Sequence, residues 1–234
     1  MSSLPLPSAG LRFENIEKRY GSLCALRRLN LEVRPRETIA LTGRNGSGKT
    51  TLLRIAAGLV RPTAGQVRMD FDGSNAEPAR VRVGFVAHQT MVYDELTAEE
   101  NLTLFTRLLG IERRQERIRA LLDEVGLEER RASLVRTFSR GMRQRLSLAR
   151  NLLAQPSLLL LDEPSTGLDP QGVDWLAGTL RRLREAGCTI LMSLHGQSEL
   201  TALASRAVRL EAGVIVADSQ AGGTVASVVS FVDA

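Results

Sequence analysis

Residues 43–50, GRNGSGKT, fit the spacing G-x-x-x-x-G-K-[ST] and stand between an apolar run, ETIALTG, and a leucine-rich segment of helical pattern. Gly43, Gly46 and Gly48 let the backbone curl so that successive amides point at phosphate oxygens, with the positive end of the following helix behind them. Arg44, Asn45 and Ser47 complete the loop, and Thr51 follows it. In such a loop Lys49 sets a point charge on β- and γ-phosphates, and the Thr50 hydroxyl is a magnesium ligand. A glycine-rich turn without function fits the same residues, but a strand before and a helix after are the context that phosphate binding needs.

A second chemistry-bearing segment is LLLLDEP, residues 158–164. A buried strand that ends in carboxylates is costly unless they meet a cation. Asp162 therefore fits a magnesium-holding role, directly or through water, and Glu163 fits a general base that polarises an attacking water. The competing reading is a pair of carboxylates that cap a turn. A third segment, FSRGMRQRLSLARNLL at 138–153, reads as a helix behind a serine-glycine turn. Met142, Leu146, Ala149 and Leu153 fall on one helical face, with Arg143, Gln144, Arg145 and Arg150 on the others. Ser139 is positioned as the N-cap, and Gly141 leaves room for an anion to approach the first-turn amides. Which anion, these residues alone do not say.

Around these motifs, LRFENI and LNLEV read as short strands joined by the RYGSLCA region, and RPTAGQVRM and RVRVGFVAHQ add two more. From Thr97 to about Ala154 the pattern turns helical. SLLLLDEP and CTILMSLH then read as buried parallel strands flanking the helix PQGVDWLAGTLRRLREAG, and RAVRLEAGVIVAD as a hairpin turning at Ala212 and Gly213. Strands alternating with helices predict an α/β sheet with one helical insertion.

The 234 residues, 43% of them hydrophobic, can bury a good core and predict one domain with a subdomain. The net charge of +5 arises from 31 basic against 26 acidic residues, and Lys18 and Lys49 are the only lysines. A lysine in so lysine-poor a chain points to a specific task. The arginines mostly alternate with glutamates, the pattern of a solvated helix face, although a surface for nucleic acid or anionic lipid would share it. Cys24 and Cys188 have no metal-ligand spacing and read as buried free thiols in a reducing compartment. Nowhere do 18 consecutive apolar residues occur, and the start carries no secretory pattern, so the expectation is a cytoplasmic chain that spans no membrane.

Together the ordered motifs resemble the nucleotide-binding subunit of an ATP-binding cassette (ABC) transporter, a similarity running from about Leu11 to Ala217. It implies a RecA-like P-loop NTPase core over about 11–90 and 156–217 with a small antiparallel β-region. A helical subdomain over about 91–155 and a tail at 218–234 complete the expected single nucleotide-binding domain. By the same resemblance Tyr20 is the aromatic that stacks on adenine, and Gln89 approaches Mg²⁺ and the lytic water. Asp169 lies in the loop that crosses a dimer interface, and His195 contacts the γ-phosphate. The segment around Ser139, Arg140, Gly141 and Met142 matches the signature that completes the ATP site of an opposing subunit, which identifies the anion as a partner's γ-phosphate. Arg140 and Met142 depart from the usual glycine and glutamine there, and Gly196 follows His195 where aspartate is common.

The implied protein hydrolyses ATP with Mg²⁺, closes as a homodimer or with a paired ATPase subunit, and docks on integral membrane transporter subunits at the inner face of the cell membrane. No nucleic-acid partner is expected; a soluble ATP switch acting on nucleic acid or protein is the rival from another class. HQTMVYDELTAEENL, residues 88–102, and the signature helix look similar to ATP-binding subunits of haem exporters used in cytochrome c maturation. The Gly-Met-Arg-Gln-Arg core is also similar to drug, antibiotic and other small-molecule exporters, which stand as the alternative. His88 and Cys24 as direct haem ligands are the weaker reading, since haem handling suits membrane partners better. The docking face for those partners is expected at residues 89–102.

Overall fold

In the computed structural model, residues 9–71, 82–111, 114–195, 198–221 and 224–229 are described. Two long strands open the chain, β1 (Ala9–Tyr20) and β2 (Leu23–Val33), joined at Gly21 and Ser22. They extend well beyond the short LRFENI and LNLEV runs, and most of RYGSLCA is strand rather than turn. Register shifts along the β1–β2 ladder explain the misreading, because each shift breaks the strict alternation by which strands are recognised. With β4 (Ala64–Phe71) these strands form an antiparallel sheet of order β2-β1-β4.

The second sheet has the order β5-β6-β7-β3-β8-β9, from β3 (Thr38–Thr42), β5 (Val83–Val86), β6 (Leu158–Asp162), β7 (Thr189–Ser193), β8 (Arg206–Glu211) and β9 (Val214–Asp218). All its pairings are parallel except the β8–β9 hairpin, which turns at Ala212 and Gly213 as expected. Every residue of β3, β6 and β7 is buried, because helices cover one face of this sheet and α1 with the antiparallel β2-β1-β4 sheet covers the other.

Alternation along β6 separates two cores. Leu158 and Leu160 pack with α1 (Lys49–Ala56) and the antiparallel sheet, through Leu52, Leu53, Phe13 and Leu26. Leu159 and Leu161 pack on the opposite face against Leu146, Leu176 and Leu180 of α4 (Arg140–Leu152) and α5 (Pro170–Glu185). Between β5 and β6 the chain runs through α2 (Ala98–Leu108), α3 (Arg114–Glu124) and α4. A reciprocal capping box, Thr97 with Glu100, starts α2. The short α6 (Val225–Val229) lays Val228 and Val229 against Ala207. Among the described residues no helix is long and apolar enough to cross a membrane. Gly196 and most of the segment 222–234 lie outside the described residues, as do residues 1–8.

Candidate active site

The phosphate loop joins the end of β3 to the first turn of α1 and is fixed by its neighbours. Ser47 N–H donates to the Arg44 carbonyl at 3.1 Å, Gly213 N–H to the Ser47 carbonyl at 3.0 Å, and Arg27 N–H to the Gly213 carbonyl at 2.9 Å. The chain thus ties the loop to the β8–β9 turn and onward to β2. Gly48 has φ +110, and a Cβ there would stand 2.8 Å from the Ala25 carbonyl oxygen, so only glycine fits. Lys49 Nζ donates to the carbonyls of Gly43 at 2.6 Å and Arg44 at 3.2 Å. Burial pulls its ammonium below the ordinary lysine range, and the Glu163 and Asp162 carboxylates oppose that shift.

A network of hydroxyls holds the acidic strand end. Asp162 is buried, and its Oδ1 accepts from Thr50 Oγ1 at 3.0 Å and from Ser193 Oγ at 2.8 Å. The Ser193 hydroxyl in turn accepts the Glu163 backbone N–H at 2.9 Å. Glu163 carries φ +50, a left-handed conformation uncommon for a non-glycine residue and one that concentrates at functional sites. Its Oε2 lies 3.8 Å from His88 Nδ1. Thr50 and Asp162 are hard oxygen donors on facing elements, the donor set that suits Mg²⁺ when substrate phosphates supply further ligands.

These groups line one open cavity of about 840 Å³. Asn45, Gly46, Ser47, Gly48, Lys49, Thr50 and Thr51 form one wall, Asp162 and Glu163 another, and Tyr20 stands at the β-region side. Gly43 and Arg44 sit behind the loop as acceptors for Lys49. Gln89 and His195 are exposed, and neither is among the described residues that line the cavity. His88 does line it, as does Cys24, so these two residues border the phosphate loop instead of forming a separate ligand pair, and Cys24 is half-buried where a buried thiol was expected.

Ser139, Arg140, Gly141, Met142 and Asp169 gather around a separate cavity of about 410 Å³. Ser139 caps α4, its Oγ accepting from Met142 N–H at 3.2 Å. Asp169 caps α5, accepting from Gly172 N–H at 2.9 Å. Arg140 lies across Gly167, where a Cβ would strike its side chain. Gln144 is buried, with Nε2 donating to the Pro164 carbonyl at 3.2 Å, although helical position alone placed it away from the apolar face. Ser193 is the site neighbour that sequence reasoning missed, whereas His88 and Gln144 appear there without a role in this site. Ser193 left one signal: it is the hydroxyl at the end of an apolar strand, TILMS, and pairs in register with Asp162.

A glycine-rich loop between strand and helix, an acidic end on a neighbouring parallel strand, and a hydroxyl bridging them define a P-loop nucleotide hydrolase. The chain belongs to the ABC transporter family, whose model matches residues 26–166. A Nod factor export ATP-binding protein of Cupriavidus metallidurans is 38% identical over 217 residues, covering 91% of this chain and 72% of that protein. The daunorubicin resistance ATP-binding protein DrrA3 of Streptomyces coeruleorubidus is 36% identical over 220 residues, covering 92% and 70%. Among solved structures, a dimeric post-hydrolysis state of the ATP-binding cassette MJ0796, bound to ADP and Pi, superposes with a TM-score of 0.77 at 27% identity, covering 89% of this chain and 97% of that one. The fold is that of an ABC ATPase, and the chain is an ATP-hydrolysing, ATP-binding subunit of that family. The expected likeness to haem exporters is not reflected in these relatives, whose names match the small-molecule alternative. The Gly-Met-Arg-Gln-Arg core, common to both kinds of exporter, could not separate them.

Proposed function

We propose that this chain energises the export of a drug, an antibiotic or another small molecule through separate membrane subunits. The names of its relatives support export of such cargo, and the arrangement of the site supports the mechanism. The observation that carries the reading is the convergence of Lys49, Thr50, Asp162 and Glu163 on one cavity. In this proposal the loop amides and Lys49 bind the β- and γ-phosphates, and Tyr20 stacks on the base. Thr50 and Asp162 would hold Mg²⁺, with Gln89 joining them on closure; when bound, the ion offsets phosphate charge. Glu163 accepts a proton from the attacking water, and His195 moves in to meet the γ-phosphate.

The second cavity would receive the terminal phosphate of a partner's ATP, at Ser139, Arg140, Gly141 and Met142, with Asp169 at the interface. Two copies, or this chain with a paired ATPase subunit, close when ATP is bound, as the dimeric MJ0796 supports. In this proposal the core spans about 11–90 and 156–217, the helical subdomain about 91–155, and residues 89–102 form the docking face on the inner side of the membrane. Met91 and Tyr93, exposed there, support that placement.

Glu163→Gln tests the mechanism. ATP binding should persist, hydrolysis should slow by at least ~10²-fold, and an ATP-dependent dimer should accumulate in light scattering. Normal turnover by this variant would remove Glu163 from its role. Affinity purification from solubilised native membranes tests the cargo: an exporter permease is the expected companion, whereas cytochrome c maturation subunits would restore the haem assignment.

A further inference from the structure

Lys18, one of two lysines in the chain, is left without a task by the mechanism above. Its Nζ lies 4.9 Å from the centroid of the Tyr20 ring and donates to the Arg61 carbonyl at 3.0 Å. Two further hydrogen bonds fix that stretch of β1 to the segment before β4: Thr63 N–H to the Glu17 carbonyl at 2.7 Å, and Arg19 N–H to Thr63 Oγ1 at 3.0 Å. Tyr20 itself is 46% exposed and lines the nucleotide cavity, whereas Lys18 is not among the described residues lining it. The ammonium thus lies over the Tyr20 ring without being part of the described cavity lining.

We infer that Lys18 is a positioning residue for nucleobase recognition: anchored to the Arg61 carbonyl, it holds the Tyr20 ring as a stacking platform. The inference rests on the proposal that Tyr20 stacks on the base. An exposed tyrosine that terminates a strand has rotamer freedom to lose on stacking, and a cation fixed on one face reduces that loss in advance. The cation also draws π density toward itself, so the opposite face meets an electron-rich purine with less repulsion. A hydrated, untethered lysine would spend little time in this position; the Arg61 carbonyl supplies the tether.

The test is isothermal titration of the full chain with ADP and, separately, with inorganic pyrophosphate, which lacks the base. Lys18→Met, which keeps most of the aliphatic stem, should raise the ADP dissociation constant ~2- to 5-fold, the range of an exposed cation–π contact, and leave pyrophosphate binding unchanged. Lys18→Arg should restore ADP binding. In a Tyr20→Ala background Lys18→Met should have no further effect. Tyr20→Ala alone should weaken ADP by at least ~5-fold, the low end for base stacking. Unchanged ADP binding by Tyr20→Ala would remove the platform and this inference with it. A weakened Tyr20→Ala beside an unaffected Lys18→Met would overturn the lysine's role alone. Equal loss of ADP and pyrophosphate in Lys18→Met would reduce it to a general charge effect and overturn the inference as well.

Discussion

Ser193→Ala should destabilise the protein far more than the loss of one surface hydroxyl would. The Ser193 side chain is fully buried, donates to the Asp162 carboxylate at 2.8 Å and accepts from the Glu163 amide at 2.9 Å. A hydrogen bond to a charged group contributes roughly 1.5–3 kcal/mol, and a buried amide left without an acceptor costs about 1–3 kcal/mol. Both effects pass through one oxygen and will not add in full, which leaves ~2–4 kcal/mol. In a chain of this length each kcal/mol displaces the melting temperature by about 2–4 °C, so scanning calorimetry should record a fall of roughly 4–16 °C. Among the described residues Asp162 would keep only Thr50 as a hydroxyl partner, so the magnesium concentration for half-maximal ATPase activity should change too. A melting temperature within about 2 °C of wild type, with the magnesium requirement unaltered, would refute the bridge.

Lys49→Ala should lower ATP affinity itself, and Gly48→Ala should abolish it, because the new Cβ meets the Ala25 carbonyl and Leu26 in a backbone held at φ +110; nucleotide titration checks both. Cys188 is buried and its thiol is pushed up to about 12, so a thiol reagent should modify Cys24 alone in the native protein, and ATP should slow that reaction because Cys24 lines the nucleotide cavity. Arg206, hydrogen-bonded to Asp218, holds that carboxyl below the ordinary range. Its contribution is present above the unfolded value of about 3.9 and is lost as pH falls through the lower folded value. Asp218→Asn should therefore cost ~1.5–3 kcal/mol at neutral pH, with the gap to wild type in urea unfolding closing toward strongly acidic pH.

Local rules made the phosphate loop, the acidic strand and the hairpin at Ala212 and Gly213 legible, because each is written in contiguous residues whose chemistry fixes their backbone. Leu158 to Leu161 gave a strand buried on both faces but could not say which leucine met which helix; only the sheet order decides that. The length of β1 and β2 was hidden by register shifts that interrupt the period of two. The roles of Ser193 and Gln144 were missed for a different reason. A buried hydroxyl or amide acquires meaning only from its partner, and here the partners lie 31 and 20 residues away in sequence. Cys24 was misplaced because it borders an open cavity that the strand pattern of β2 does not reveal.

The segment from Glu163 to Asp169 touches both cavities and is tied at several points along its length. Glu163 lines the nucleotide cavity, while Gly167, Leu168 and Asp169 line the one formed with the start of α4. Inside the segment Thr166 N–H bonds to the Glu163 carbonyl and Leu168 N–H to the Ser165 carbonyl, both at 3.1 Å, so it is two linked turns and not a slack loop. Ser193 holds its first residue from β7, Gln144 holds Pro164 from α4, and Arg140 lies over Gly167. Backbone hydrogen bonds therefore form a physical path from Glu163 toward the opposite cavity. Under the proposed dimer, one protomer's catalytic carboxylate is thereby joined to the surface that meets the other protomer's ATP. Gln144→Leu keeps the volume but removes the hold on Pro164. It should leave single-site ATP binding intact and weaken the ATP-driven dimerisation of the Glu163→Gln chain in light scattering. Dimerisation at wild-type affinity would place the coupling elsewhere.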